Sequence, residues 1–561
     1  MKKALLLISI LLLAGCGGTN NNGGGGGGNN DGGNQNTNPD FVNQTEYDAP
    51  YKVATSDAGK ARIINRSGNP VLVQSSLLRT DLLKNADFLK ASEMEDYFAL
   101  AEETNLNFLD ITIMWSEIET SYDVYSFDEL DCYLNYAKKY NLKLNIEWYG
   151  SFTDGETRTA NMPKYISEKK DEYPILLDLF DFGAYGRVEI IDWKNDKLIS
   201  REQYALYMMM NHIYEWNHAN SMYDPVAMVQ IGQGVDRFQR WRVSQYKVND
   251  KEGNLMSFDD AWSYAYHYLN EVGKAVKYSK YKALTRAEFC EQNAVVNYVR
   301  KTAELEFIDI ACPTYLHEIS NMKNGIKNFV EELEDMPIIN VENWANDINY
   351  KQTLIEYAMG GSGYVCYQFS SARYYPESPS GTLYNRYNEN GTTLEEKFTS
   401  RGTRADDAKM INAAISKAYV PIGNAPSGNF TTLGLNSSLD DKSGDERIQK
   451  VYLKRGVLLD FTNPAGCIGY AVYDQNYLYC FCNKDAVLTI TNCSISVGQK
   501  GSFNSLGEWE SQGTIILEEN KTLTMAANEV YRIRLVSIDA LPSATTLSAG
   551  GYKSSIDSIR S

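Results

Sequence analysis

Eight short runs rich in apolar and β-branched residues recur between positions 60 and 420, and they restrict the fold more than any other feature. They occupy 71–78, 108–115, 142–148, 226–231, 282–289, 307–315, 337–344 and 363–369. Each is continuously apolar rather than alternating, as a strand buried on both faces requires. Longer stretches of helical spacing separate them. After Ser126, for example, Leu130, Leu134 and Ala137 recur on one stripe. Ser92, Ser126 and Ser257 are each followed three residues later by an acidic residue, the spacing of a capping box. Asn105 and Asn141 fall where a helix end wants a left-handed residue. A strand–helix unit with eight strands predicts an α/β fold, a (β/α)8 TIM barrel. An open doubly wound sheet is the competitor, but no glycine-rich phosphate loop supports it.

Beyond a last helical run at 414–419 comes Pro421-Ile422-Gly423, then a Ser/Gly/Asn-rich stretch to about 444. From there the pattern changes to short alternating runs at 456–461, 468–473, 477–483, 486–491, 514–517 and 530–535, separated by turn residues. That pattern predicts a C-terminal antiparallel β-sandwich. The expected division is a barrel over 46–423, a sandwich over 424–540 and a loose tail over 541–561.

The start of the chain reads as an export signal. Met1-Lys2-Lys3 precedes an apolar run too short to span a bilayer, which needs about 20 residues. Leu13-Ala14-Gly15-Cys16 resembles the bacterial lipobox, which implies a signal peptide over 1–15 and a lipid on the Cys16 thiol. Residues 16–45 are almost all Gly, Asn, Thr and Gln, a composition with nothing to bury, so a flexible tether is expected. Gly17 stands where an Asp would resemble an inner-membrane retention signal, so the expected location is the outer membrane or cell surface. A net charge of −18 argues against nucleic acid or an acidic membrane surface as partners. Eight cysteines follow Cys16 without a CxxC pair. Cys480 and Cys482 lie on one face of a strand, a geometry unsuited to a bridge between them, and no pairing is legible. The four histidines have no metal-ligand spacing, so neither a metal nor another cofactor is expected.

In barrels of this kind chemistry sits where the strands end. Reading those ends yields Arg79; Trp115, Glu117 and Glu119; Glu147 and Trp148; Gln230 to Asp236; Glu288; Tyr315 to Glu318; Glu342 to Trp344; and Gln368. Carboxylates, amides and aromatic rings together suit a sugar pocket, because carboxylates handle protons and anomeric charge, amides bond hydroxyls, and rings stack on sugar faces. The 40 Tyr and 8 Trp, most of which serve packing, are the residues such stacking would use. The candidate ligand-binding residues are Arg79, Trp115, Glu119, Trp148, Gln230, Gln233, Trp241, Tyr315 and Trp344.

Three blocks make the likeness specific: Trp115-Ser116-Glu117-Ile118-Glu119, Tyr125-Ser126-Phe127-Asp128, and 142–148, which ends in Glu147-Trp148. Together they resemble the second and third strands of clan A glycoside hydrolases, nearest the β-galactosidase-type families. The likeness spans roughly 60–420. It implies a nucleophilic Glu ending the seventh strand, and Pro337-Ile338-Ile339-Asn340-Val341-Glu342-Asn343-Trp344 supplies Glu342. It also implies an acid/base Glu in an Asn-Glu pair ending the fourth strand. Here the chain departs, with Gln233 at the Asn position and Gly234 at the Glu position. Glycine cannot protonate a leaving group, and general acid help is commonly worth about 10²–10⁴-fold. Asp236, Glu147 and Glu288 are the carboxylates available as substitutes. Two basic, aromatic loops, 237–242 and 373–375, suit a subsite for a carboxylated or sulfated sugar. The expected activity is a retaining glycosidase acting on extracellular oligosaccharides. The alternatives are a glycan-binding surface lipoprotein without turnover and a barrel that serves as a scaffold.

Overall fold

A computed structural model of the chain describes residues 41–538, apart from 86, 152–160, 170, 174, 181–186, 192–193, 233–253, 255–257, 291–304, 315–318, 344–348, 372–382, 388–393, 427–428, 434–446, 453–456, 464–466, 492 and 518–520. Cys16, the signal, the tether as far as 40 and the 541–561 tail lie outside the described residues. Residues 41–45, expected as the end of a flexible tether, instead pack on the folded body: Phe41 contacts the Tyr207 and Tyr278 rings, and Gln44 N donates to Tyr278 O at 2.9 Å.

The eight apolar runs form eight parallel strands: β1 (Val73–Leu78), β2 (Phe108–Met114), β3 (Lys143–Tyr149), β4 (Val226–Gln230), β5 (Leu284–Cys290), β6 (Ile310–Thr314), β7 (Ile339–Asn343) and β8 (Gly363–Cys366). Their order in the sheet is β6-β5-β4-β3-β2-β1-β8-β7, and every pairing is parallel. The two ends meet through a parallel bridge between Ala311 and Ile338, with Ala311 N donating to Pro337 O at 3.2 Å. The sheet therefore closes on itself. Outside it run α1 (Glu95–Glu103), α2 (Asp128–Lys139), α3 (Asp196–Ala219), α4 (Phe258–Tyr278), α5 (Ile319–Glu332), α6 (Asn349–Ala358) and α7 (Arg404–Lys417). This is the (β/α)8 barrel that the strand–helix alternation predicts.

Closure gives each strand two buried faces. Leu109, Ile111, Ile113, Leu144, Ile146 and Val229 face the helices in one large core. Val73, Leu77, Phe108, Met228, Leu284, Ile310, Ile339 and Val365 fill the inside. The floor is a hairpin of Tyr51–Thr55 and Ala61–Asn65, an element the sequence pattern does not announce. Tyr51 and Ile63 add to the inner core, and Tyr51 OH reaches Asp224 O, just before β4, at 3.4 Å.

The helix-start signals are corrected in detail. Ser92 lies inside a 3-10 turn, Ala91–Glu93, where Glu93 Oε2 accepts from Lys90 N at 2.8 Å. The helix at Asp128 begins after Phe127 with no side-chain cap, so Ser126 does not cap it. Ser257 lies outside the described residues. Asn105 and Asn141 do adopt left-handed φ values of 54° and 52°.

The C-terminal strands are β9 (Phe430–Leu433), β10 (Arg447–Tyr452), β11 (Leu458–Asn463), β12 (Gly469–Tyr473), β13 (Tyr477–Cys482), β14 (Ala486–Thr491), β15 (Cys493–Phe503), β16 (Trp509–Ile515), β17 (Thr522–Met525) and β18 (Val530–Ile538). They make two antiparallel sheets, β9-β12-β13-β18-β15-β16 and β10-β11-β14-β17. Leu459, Phe461, Leu478, Leu488, Ile490 and Ile533 fill the space between the sheets, the expected β-sandwich. A further apolar core joins sandwich to barrel, with Ile411, Ala414 and Ile415 of α7 against Tyr470, Tyr479 and Phe481. There the buried Tyr470 OH donates to Ala414 O at 2.9 Å.

Candidate active site

Alternation inside the closed barrel decides which side chains reach its interior. On β2, β3, β4 and β5 the residues that share the inner face are Asp110 and Thr112, Asn145 and Glu147, Gln230, and Arg286 and Glu288. Register sets Thr112 beside Glu147, Glu147 beside Gln230, and Gln230 beside Arg286. All seven are at most 3% exposed.

Hydrogen bonds link them. Arg286 forms an ion pair with Asp110 and lies 3.4 Å from Glu147 Oε1. Asp110 Oδ1 accepts from Ser75 Oγ at 2.5 Å and from Asn145 Nδ2 at 2.8 Å. Gln230 Nε2 donates to Glu288 Oε1 at 2.9 Å. Burial works against the charge on Arg286, but Asp110 foremost, then Cys312 and Glu147, more than offset it and raise its pKa. Arg286 thus remains a cation inside the barrel.

Above this layer β1 is followed by Arg79, which holds Asp81 with two bonds, Nε to Oδ1 at 2.9 Å and Nη2 to Oδ2 at 2.7 Å. Its Nη1 donates to Tyr367 OH at 3.4 Å, and the guanidinium lies 5.8 Å from the Tyr149 ring centroid. Burial alone would raise the Asp81 pKa, but Arg79, Thr112 and the Leu82 amide lower it. Arg79 therefore stands at the barrel mouth with its charge already answered by Asp81. Gln368, which follows β8, is 1% exposed.

Three expected ligand contacts are corrected. Trp148 alternates with Glu147 and so faces the helices; it is fully buried, and its Nε1 donates to Glu202 of α3 at 3.0 Å. Tyr268 OH at 2.5 Å and the Ser151 hydroxyl also bond that carboxyl. Burial raises the Glu202 pKa, and those donors only partly offset it. A Cβ on Gly150 would collide with Glu202, so the chain can leave β3 here only through glycine. Trp115 is likewise fully buried, its Nε1 bonded to Glu119 Oε2 at 3.0 Å. Glu119, with no exposed surface, is paired to Arg201 of α3. Trp115, Glu119 and Trp148 are therefore braces between strands and helices, not surfaces for a sugar. Glu117 has a similar role, tied to Lys84 and accepting from Met114 N at 3.0 Å.

Glu342 lies in β7, whose register against β8 shifts between Asn340 and Asn343. Gln233, Gly234, Asp236, Trp241, Tyr315 and Trp344 lie outside the described residues. Of the expected site residues, then, the described structure gathers Glu147, Gln230 and Glu288 inside the barrel, with Arg79 at its mouth. It adds Asp110, Asn145 and Arg286, which a reading of strand ends misses because they lie mid-strand. The signal was there: polar residues two apart, Asp110/Thr112, Asn145/Glu147 and Arg286/Glu288, interrupt three apolar strands at one parity. Among the described residues no group of three or more His, Cys, Asp or Glu is placed to hold a metal ion.

No family model and no curated protein matches the chain. Among solved structures, one to which the chain is similar is an exo-β-1,4-mannosidase from Opitutaceae bacterium strain TAV5, with a TM-score of 0.42 and 10% identity over 66% of this chain. The match spans 63% of that mannosidase. Another is a glycoside hydrolase family 30 subfamily 8 xylanase from Clostridium acetobutylicum, with a TM-score of 0.38 and 8% identity over 83% of this chain and 95% of that one. The eight-stranded closure stands on the chain's own hydrogen bonds, independently of either likeness.

Proposed function

We propose that the barrel is a glycosidase of the retaining type that acts on oligosaccharides, with Glu342 as nucleophile and a buried interior carboxyl in place of the absent acid. The observation that carries this reading is the inner row Glu147, Gln230 and Glu288, two carboxyls and an amide on neighbouring strands where a barrel does its chemistry. In the closed strand order β3, which bears Glu147, stands across the barrel from β7, which bears Glu342. A retaining pair works across about 5–5.5 Å, one carboxylate attacking the anomeric carbon and the other serving as acid and then base. The sequence resemblance to clan A enzymes supports the same assignment.

Aryl glycosides with acidic leaving groups need little protonation, so the chain should cleave them in preference to alkyl-type glycosides. Glu342→Gln should reduce that cleavage to the uncatalysed level while sugar binding persists. Glu147→Gln and Glu288→Gln should separate the roles: loss of the acid slows unactivated substrates by about 10²–10⁴-fold and spares activated ones. Cleavage that survives Glu342→Gln would put the chemistry elsewhere.

One feature of the chain favours a second reading, glycan binding without turnover: Gly234 stands at the fourth-strand acid position. Saturable glycan binding with no cleavage of any activated glycoside would decide for it. In either case we infer export and anchoring through a lipid on Cys16, from the lipobox likeness. Cys16→Ser should release the chain from membranes, and unchanged fractionation and mass would reject the anchor.

A further inference from the structure

Cys467, Cys480, Cys482 and Cys493, none in a disulfide, are buried in the one core between the two sheets of the sandwich. Two of them meet. Register pairs Gly469, at the start of β12, with Cys482 of β13. The pairing runs on past the strand: Asn483 N donates to Ile468 O at 2.9 Å, and Ile468 N donates to Asn483 Oδ1 at 2.7 Å. Cys467 thus lies one pleat from Gly469 on the face that Cys482 shares. Gly469 carries no side chain opposite Cys482, and a Cβ there would strike the Phe481 carbonyl. The Cys467 and Cys482 thiols interact with each other, while Cys482 Sγ donates to Met525 Sδ at 4.0 Å and Cys467 Sγ donates to Lys484 O at 3.9 Å.

We propose that Cys467 and Cys482 are a disulfide-forming pair, which staples β13 to the segment entering β12 when the chain meets a small-molecule disulfide. The interaction with Cys482 favours loss of the Cys467 proton against burial, which opposes it, whereas burial alone holds the Cys480 thiol up. The Cys467 thiolate attacks one sulfur of oxidised glutathione, giving a mixed disulfide and one glutathione thiolate. Cys482 loses its proton and attacks the Cys467 sulfur, releasing the second glutathione. Two protein thiols are oxidised, one small disulfide is reduced to two thiols, and the two protons leave with them.

The test uses the full chain, opened transiently in mild urea with oxidised glutathione, returned to buffer and treated with N-ethylmaleimide. The expected product is lighter by two hydrogen atoms before alkylation and yields one linked peptide pair carrying Cys467 and Cys482. Its Tm should be several degrees above that of the reduced chain, and dithiothreitol should reverse the gain. Cys480→Ser should leave that linkage intact, while Cys467→Ser and Cys482→Ser should each abolish it. Full alkylation of every thiol in the oxidised wild-type chain would overturn the proposal, as would a dominant linkage through Cys480 or Cys493.

Discussion

Strands β2 to β5 carry Asp110, Asn145, Glu147, Gln230, Arg286 and Glu288 into the barrel, whereas the sandwich sends Leu459, Phe461, Leu478, Leu488, Ile490 and Ile533 into its interior. Both sets are out of water, yet their energetics oppose each other. Apolar burial stabilises the sandwich by about 25 cal/mol per Å². Burying charge costs several kcal/mol per ion, which partners offset only when geometry is good. The barrel interior also holds apolar side chains, among them Leu77, Met228 and Ile310. That it buries carboxyls, amides and a guanidinium as well, on neighbouring strands, is the arrangement on which the proposed function rests.

The sharpest way to break this comparison is Arg286→Met. It leaves Asp110 buried without its cation and should cost about 3–5 kcal/mol in urea unfolding. Adding Asp110→Leu should recover part of that loss, because it removes one of the two buried carboxyls, Asp110 and Glu147, that face Arg286. Equal losses in single and double variants would show that shape, not charge, matters at this position.

Glu202→Gln tests the buried carboxyl brace on the barrel's outer side. The amide turns a donor toward Ser151, Tyr268 or the Trp148 indole and should cost about 1–3 kcal/mol. Because burial raises the Glu202 pKa, its neutral form is favoured in the fold. Its contribution is therefore complete below the unfolded carboxyl range and is lost as pH rises through the folded value. The penalty in the variant, read by urea unfolding at a series of pH values, should accordingly shrink as pH rises above the usual carboxyl range. A penalty that grows with pH would mean that the donors, not burial, dominate.

The smallest effect belongs to the apolar interior. Ile490→Val, in the fully buried heart of the sandwich, removes one methyl group and should cost about 0.5–1.5 kcal/mol without changing any ligand response of the barrel. A change in glycan cleavage or binding in this variant would show that the two interiors communicate across the seam of α7 and Tyr470.

Much of the barrel was legible from the chain. Each of the eight expected runs contains a strand, since continuous apolar and β-branched residues leave a buried strand little alternative. Helix starts were less legible. Ser92 and Ser126 have capping-box spacing, yet a 3-10 turn and Phe127 take the positions before the helices. The floor hairpin was missed because 51–65 is short and its burial depends on the barrel it covers.

The candidate site separates the two kinds of information most clearly. Sequence by itself determined where the strands lie, which residues share a parity, and that Glu147 and Glu288 fall near strand ends. Polar residues two apart set one parity off on β2, β3 and β5. Both faces of each strand are buried, however, so the pattern alone did not say whether that parity looks into the barrel or toward the helices. Closure of the sheet through Ala311 and Ile338 decided that. It turned Glu147 to the interior and Trp148 to the helices, and it set Arg286 between carboxyls more than a hundred positions away in the chain.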